Sequence, residues 1–359
     1  LNAEYQKKLK TASIDIPQTA ITGEYGQINS NYKDTKLGVS QSISFPLVYA
    51  KQRSLQNENY KNSILTIDLK EAELKKRVSD LFYSLIHLEQ KQAILLHTDT
   101  IYARFLEKAT LRFSSGQSNV LEKTTAETQR GQIAIQLSQL KNDLGILQLQ
   151  FQLLLNTKTS FHPTSDNLKL SFAALADSSS AIHHPEIKML QQQIEISKAA
   201  TQLERSKLLP NLSVGYSNQS IQGMGADNVL YTKTDRFNAF QVGIGIPLFF
   251  GSQKAKISSS KTMKMISENN YQYGLQVLRM EYDAAYRLYQ TQMQTVNYFE
   301  DTALKNADVI TKTANQQFEN GDINYLEWSM LINNATILKS SYSDAVHDLN
   351  QTIIQLIYL

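Results

Sequence analysis

The sequence predicts a mostly α-helical chain with a small β part, in which long coiled-coil hairpins alternate with two pairs of β-strands. Three observations lead there. Two proline-free helical tracts are far longer than a globular core needs, two pairs of segments alternate apolar and polar residues, and an internal repeat gives each half of the chain one of each.

The tracts come first. From Pro46 to Phe113 is 67 residues and from Pro247 to Phe318 is 71, with no proline inside either span. At about 1.5 Å of rise per residue, each extends for roughly 100 Å. Apolar residues step in threes and fours: Leu74, Val78, Leu81, Leu85 and Leu88 in the first tract. The returning segments do the same, through Leu137, Leu140, Leu144, Leu147, Phe151 and Leu154, and again through Leu338, Tyr342, Val346, Leu349, Ile353 and Leu356. That spacing, sustained over several heptads, is a coiled-coil seam. No glycine occurs between Gly145 and Gly215, which suits long helices.

The strand pairs are predicted at about 20–29 with 36–48, and at 211–220 with 237–249. Leu37, Val39, Ile43 and Phe45 alternate with Gly38, Ser40, Ser42 and Ser44, while Phe240, Val242, Ile244 and Ile246 alternate with Gln241, Gly243 and Gly245. A period of two gives one oily face and one polar or tiny face. A half-buried strand in a soluble sheet shows that alternation too. Transmembrane barrel strands add a length of about 9–11 residues and a polar lumen face. These segments have that length, and Tyr25, Tyr49, Phe237, Phe249 and Phe250 sit at their ends where an interfacial girdle belongs.

The repeat fixes the organisation. Phe113-Ser-Ser-Gly116-Gln-Ser-Asn-Val-Leu121-Glu122 recurs 205 residues later, from 113 to 318, as Phe318-Glu-Asn-Gly321-Asp-Ile-Asn-Tyr-Leu326-Glu327. Ile43-Ser-Phe-Pro46-Leu-Val-Tyr recurs as Ile244-Gly-Ile-Pro247-Leu-Phe-Phe, 201 residues on from 46 to 247, and Pro17 and Pro210 each open an alternating stretch. The first repeat then covers 1–156: the end of an entry helix, a strand pair at 20–48, a long helix at 49–113, a tip at 113–121 and a return helix at 122–156. A linker spans 157–184, with Ser, Thr, Asp and Asn enriched from Thr157 to Ser180. The second repeat covers 185–359: entry helix 185–209, strands 211–249, long helix 252–318, tip 318–326 and return helix 327–358. In each tip, glycine can take the left-handed conformation that ends a helix.

Composition excludes several functions. The chain of 359 residues carries 36 Lys+Arg against 33 Asp+Glu, which leaves no electrostatic footprint for nucleic acid. With no cysteine, thiol catalysis, Cys-ligated zinc and a disulfide framework are ruled out. The strongest apolar stretch, Val242–Phe250, is far short of the roughly 20 residues of a membrane-spanning helix. No GxSxG, Walker loop, HExxH or dinucleotide fingerprint occurs, Gly223-Met-Gly225 being a short loop between strands, so no enzyme and no cofactor is expected. His183 and His184 point to opposite sides of an extended segment, and His87 and His97 lie on different helix faces, so no metal site is expected. Met263 and Met265 are an isolated pair.

Four strands cannot close a barrel, and an open sheet edge cannot face lipid. Other copies of the chain must complete it. Two copies supply eight strands, whose lumen side chains fill, whereas three supply twelve and leave a passage.

The two halves, each ordered strand, strand, long helix, return helix and each carrying the tip motif Phe-x-x-Gly-(x)4-Leu-(acidic), resemble the TolC family of outer-membrane factors. His184-Pro-Glu-Ile through Leu208-Leu-Pro-Asn-Leu-Ser-Val-Gly-Tyr216 is similar to that family's lead-in to its strands. Val242-Gly-Ile-Gly-Ile-Pro-Leu-Phe-Phe-Gly251 resembles its strand exit, particularly in the heavy-metal-efflux branch. The resemblance implies helical hairpins forming a periplasmic tunnel, and four strands per protomer contributing to a trimeric 12-stranded transmembrane β-barrel in the outer membrane of a Gram-negative bacterium. It implies a homotrimer, contacts with outer-membrane lipid, a periplasmic adaptor (membrane fusion) protein and an inner-membrane resistance-nodulation-division pump. The duct itself would be passive, export being driven by the pump, and metal cations would be a candidate cargo.

The resemblance also places sites. Glu122, Asp322 and Glu327 would narrow the periplasmic end, where three copies bring like charges together. A glutamate in a first helical turn would equally complement the helix dipole. Arg112, Phe113, Ser114, Gly116, Phe318, Asn320 and Gly321 would meet the adaptor, although turn chemistry alone also calls for the glycines. Leu37, Val39, Ile43, Phe45, Phe240, Val242, Ile244 and Ile246 would face lipid. The family's first lead-in helix is cut short, since only Leu1–Ile16 precedes Pro17, and neither a signal peptide nor the lipidated cysteine of many members is present. A chain processed or cut from something longer, including one fused upstream to its pump, would account for that. The rival readings are a soluble coiled-coil scaffold or tethering protein, which leaves the strand pairs unexplained, and a periplasmic adaptor, which has one hairpin and a lipoyl-like domain.

Overall fold

A computed structural model describes residues 1–116, 119–164, 168–172 and 182–359. In chain order these form α1 (Asn2–Thr11), β1 (Ala20–Gly26), β2 (Asp34–Ile43), α2 (Pro46–Ser114), α3 (Val120–Leu155) and α4 (Pro185–Ser206). There follow β3 (Asn211–Ser220), β4 (Gly223–Met224), β5 (Leu230–Tyr231), β6 (Arg236–Gly245), α5 (Gly251–Tyr298), α6 (Leu304–Asn320) and α7 (Tyr325–Tyr358). Gln117 and Ser118 of the first tip, and much of the linker expected from Thr157 to Ser180, lie outside the described residues.

By contacts the chain forms two units, each drawing on both sequence repeats. The first, residues 1–69 with 182–276, holds the sheets. Its four-stranded sheet has the order β1-β2-β3-β6 with every neighbouring pair antiparallel, so the two strand pairs join through β2 and β3. α4 packs Ile187, Ala199 and Leu203 inside the unit. A side chain at Gly274 of α5 would meet Leu190 Cδ1 at 2.5 Å, so the missing Cβ is what lets α5 approach α4. Gln192 Nε2 donates to Glu58 Oε2 at 2.8 Å, and the Ser197 and Ser267 hydroxyls pair at 2.8 Å.

The second unit, residues 70–181 with 277–359, is helical. One core joins Tyr102, Phe105 and Ala109 of α2 to Ala126 and Ile133 of α3, Ala314 of α6, and Tyr325, Trp328 and Ile332 of α7. A second joins Val296 of α5 to Val346, Leu349 and Ile353 of α7. The described stretch 168–172 lies along it: Asn350 accepts from Leu170 N at 2.7 Å and donates to Leu168 O at 2.7 Å.

Several expected boundaries shift, for local reasons. β2 stops at Ile43 and β6 at Gly245, ahead of the prolines at 46 and 247, because proline has no N–H for a ladder. Phe45 and Ile246, expected within strands, therefore lie just beyond them. Val48, also expected in a strand, is buried in the first turn of α2, which Pro46 opens. β1 ends at Gly26, whose φ of +149° turns the chain before the expected end at 29. Gly223-Met224 pairs with Leu230-Tyr231 in a small hairpin rather than a plain loop. The second long helix is not continuous: a π-helical turn at Phe299–Ala303 separates α5 from α6. There Glu300 accepts from Lys169 Nζ at 2.9 Å and from the Tyr342 hydroxyl at 3.1 Å.

Candidate functional site

Most of the sheet's large apolar side chains share one face. Register places Ile21 opposite Val39, Val39 opposite Tyr216, and Tyr216 opposite Phe240. Leu212 pairs with Ile43 and Ile244, and Val214 with Val242, on that same face. These side chains are not buried: Phe240 is 84% exposed, Val242 81% and Ile21 78%. Ile244, Leu37, Val39 and the flanking Ile246 are also exposed, whereas Ile43 and Phe45 are half-buried. Gln41, the polar intruder, is satisfied by Thr19 Oγ1 at 2.6 Å and by Pro17 O at 2.7 Å. The opposite face presents Gly38, Ser40 and Ser42 across from Ser217, Gly215 and Ser213 in turn, and these across from Ala239, Gln241 and Gly243. It carries one ion pair, Lys36 to Glu24 at 3.3 Å. Exposing so contiguous an apolar face to water costs roughly 25 cal/mol per Å².

The tips are built from the repeated motif. Gly116 and Gly321 have φ of +72° and +82°, the left-handed region. Gly321 caps α6, with Asp322 N donating to Gln317 O at 2.8 Å. The motif's asparagines then start the return helices: Asn119 Oδ1 accepts from Glu122 N at 3.2 Å, and Asn324 Oδ1 from Glu327 N at 3.0 Å. Glu327 Oε2 in turn accepts from Asn324 N at 3.0 Å, which closes a capping box. Asn119 and Asn324 escaped notice in the sequence, yet asparagine three residues ahead of glutamate before an apolar run was the signal. Glu327 and Asp322 are exposed and Glu122 is half-buried.

The remaining tip residues divide. Arg112, Phe113, Ser114, Gly116, Asn320 and Gly321 are exposed, with Lys123 Nζ 5.7 Å from the Phe113 ring centre. Phe318 instead packs inward, its ring 5.3 Å from Phe105 and 5.4 Å from Trp328. Phe105 also stacks on Tyr325 at 4.0 Å, and Trp328 Nε1 donates to Asn315 Oδ1 at 2.9 Å. Burial pushes the Tyr325 phenol up to about 12.

Residues 178–355 match the family model described as outer membrane efflux protein. The matched segment is similar to the outer membrane efflux proteins. No curated protein sequence matches the chain. Among solved structures, 99% of the chain superposes on each of three channels. CusC, whose structures concern transmembrane channel formation, is 17% identical with a TM-score of 0.79 over 85% of its length. The CmeC outer membrane channel of Campylobacter jejuni is 14% identical, TM-score 0.80, over 79% of its length. The MtrE outer membrane channel of Neisseria gonorrhoeae in its open state is 12% identical, TM-score 0.77, over 83% of its length. At such identities the likeness speaks for the fold. The chain has the mostly helical, partly β fold of these channels.

In this fold several histidines do structural work. His184 caps α4, its Nδ1 accepting from Glu186 N at 3.3 Å. His87 finds its partner not in His97 but in His347 of α7, ring on ring at 4.5 Å. His87 Nδ1 lies 3.1 Å from Ser343 Oγ, and its Nε2 3.3 Å from Asp344 Oδ1, an oxygen that Lys91 Nζ holds at 2.7 Å. Burial, then the neighbouring His347 charge, lowers His87 to about 4, and burial lowers His347 as well. Among the described residues no group of three or more His, Cys, Asp or Glu is placed to hold a metal ion. No described helix is long and apolar enough to cross a membrane.

Proposed function

We propose that the chain is one protomer of a trimeric outer-membrane efflux duct. The observation that carries this reading is the four-stranded sheet, with an exposed apolar face, a small and polar opposite face and two unpaired edges. Its neighbouring strands alternate in direction, so the edge strands β1 and β6 run opposite ways. One copy's β6 can therefore continue onto the next copy's β1 without breaking the antiparallel pattern. Three copies close a barrel of twelve strands, with lipid outside and a polar lumen inside. A soluble scaffold would leave the same apolar face in water.

The helical hairpins form the tunnel on the periplasmic side, ending at the tips. There Arg112, Phe113, Ser114, Gly116, Asn320 and Gly321 meet a periplasmic adaptor, with Phe318 supporting them from beneath. Glu122, Asp322 and Glu327 form the constriction. Energy comes from an inner-membrane resistance-nodulation-division pump, and the strand-exit resemblance favours metal cations as cargo, chosen by the pump rather than by the duct. The test is conductance in planar bilayers, with a hollow three-fold particle in detergent. A protein that stays monomeric in plain buffer and leaves bilayers silent contradicts the proposal.

A further inference from the structure

The far end of the apolar sheet face, where β6 begins, carries a polar belt that the duct reading does not use. Tyr216 donates its hydroxyl to Asn238 Oδ1 at 2.7 Å, and Asn218 Nδ2 donates to the same oxygen at 2.8 Å. Arg236 extends the chain of bonds: its Nε donates to Asn218 Oδ1 at 2.5 Å, its Nη1 to Thr35 Oγ1 at 2.7 Å and its Nη2 to Asn218 O at 3.3 Å. Thr35 faces Tyr25, which is 68% exposed. Of the β1, β2, β3 and β6 residues sharing this face, Arg236 alone is charged.

We propose that Arg236 is a binding site for the phosphate of an anionic lipid headgroup. This rests on the reading of the apolar face as membrane-embedded. Three arguments support it. First, depth: Arg236 lies eight residues along β6 from Ile244. At about 3.3 Å per residue that is roughly 26 Å of strand, or roughly 20 Å across the membrane at a barrel tilt of about 40°, close to the apolar band of about 25 Å. With Phe249, 95% exposed, past the other end of β6, the arginine falls at the far headgroup level. Second, chemistry: a guanidinium has five N–H donors in a rigid fork. Three are taken by Asn218 and Thr35, which lock its plane and leave two for a phosphate, a group whose geometry the fork matches. Third, charge: both partners are neutral, so the cation is oriented but not compensated, and an anionic headgroup supplies what is missing.

The experiment is native mass spectrometry of the full-length assembly in a phosphate-free detergent, titrated with lipid A and with the same glycolipid stripped of its phosphates. The expected result is at least tenfold tighter binding of the phosphorylated form, lost in Arg236→Gln and kept in Lys36→Gln on the opposite face. Inorganic phosphate at millimolar concentration should not displace the lipid; if it does, the site takes free phosphate and the proposal is overturned. Flotation with phosphatidylcholine vesicles runs in parallel. If wild type and Arg236→Gln both float but bind lipid A equally, the inference fails and the duct reading stands. If neither floats, both fall.

Discussion

Gly321 ends α6 with a φ of +82° and open space around its missing side chain, so any cost of replacing it is backbone strain, not crowding. A left-handed conformation costs an L-residue about 1–2 kcal/mol, most for a β-branched one. Gly321→Val should destabilise the hairpin by about that much, read as a lower midpoint in chemical denaturation, while Gly321→Asn should be milder. Trp328 is only 3% exposed within the aromatic cluster, so Trp328→Ala should cost about 3–5 kcal/mol by the same measurement. Glu327 needs a subtler change, because its carboxylate both carries charge and closes the capping box. Glu327→Gln can keep the box while removing the charge. Combined with Asp322→Asn, it should reduce cation selectivity in planar bilayers without changing stability. Unchanged selectivity would leave these residues as helix caps alone.

Among the elements, β6 offers the sharpest contrast, since adjacent residues face opposite ways. Val242→Arg should cost about 2–4 kcal/mol of membrane insertion, whereas Gln241→Arg next to it should be tolerated. The fraction floating with vesicles separates the two. Equal behaviour would mean that the two faces meet the same medium. α2 and α7 meet through the half-buried His87–His347 pair, and here pH is the lever. Both pKa values are depressed in the fold, so the unfolded chain takes up protons first as the pH falls below about 6.5. Their contribution is fully present above that pH and is lost on acidification toward about 4, where His87 itself protonates. Thermal stability should fall between pH 6.5 and 4, and His87→Gln should flatten that slope.

Much of this was legible in the sequence because it is local. The 3–4 spacing of Leu81, Leu85, Val346, Leu349 and Ile353 became buried seam, and period-2 alternation predicted which β6 residues share the apolar face. What the sequence concealed depends on distant partners. Nothing near His87 announces His347, and Arg236 becomes informative only once β2 and β3 bring Thr35 and Asn218 beside it. The π-helical turn was hidden because Phe299–Ala303 contains neither proline nor glycine.

For the whole molecule, the account turns on the two sheet edges meeting between copies. Within one protomer β1 and β6 are separated by β2 and β3. At about 4.8 Å per strand step that puts them roughly 14 Å apart, beyond the roughly 7 Å Cα separation a disulfide can bridge. The chain has no cysteine, so engineered pairs report without background. The decisive measurement is oxidative cross-linking of Ile21→Cys in β1 combined in turn with Asn238→Cys, Phe240→Cys, Val242→Cys or Ile244→Cys in β6. Duct formation predicts that at least one pair yields a covalent ladder ending at three chains on a non-reducing gel. Monomeric bands from every pair, or a ladder continuing past three, would contradict it.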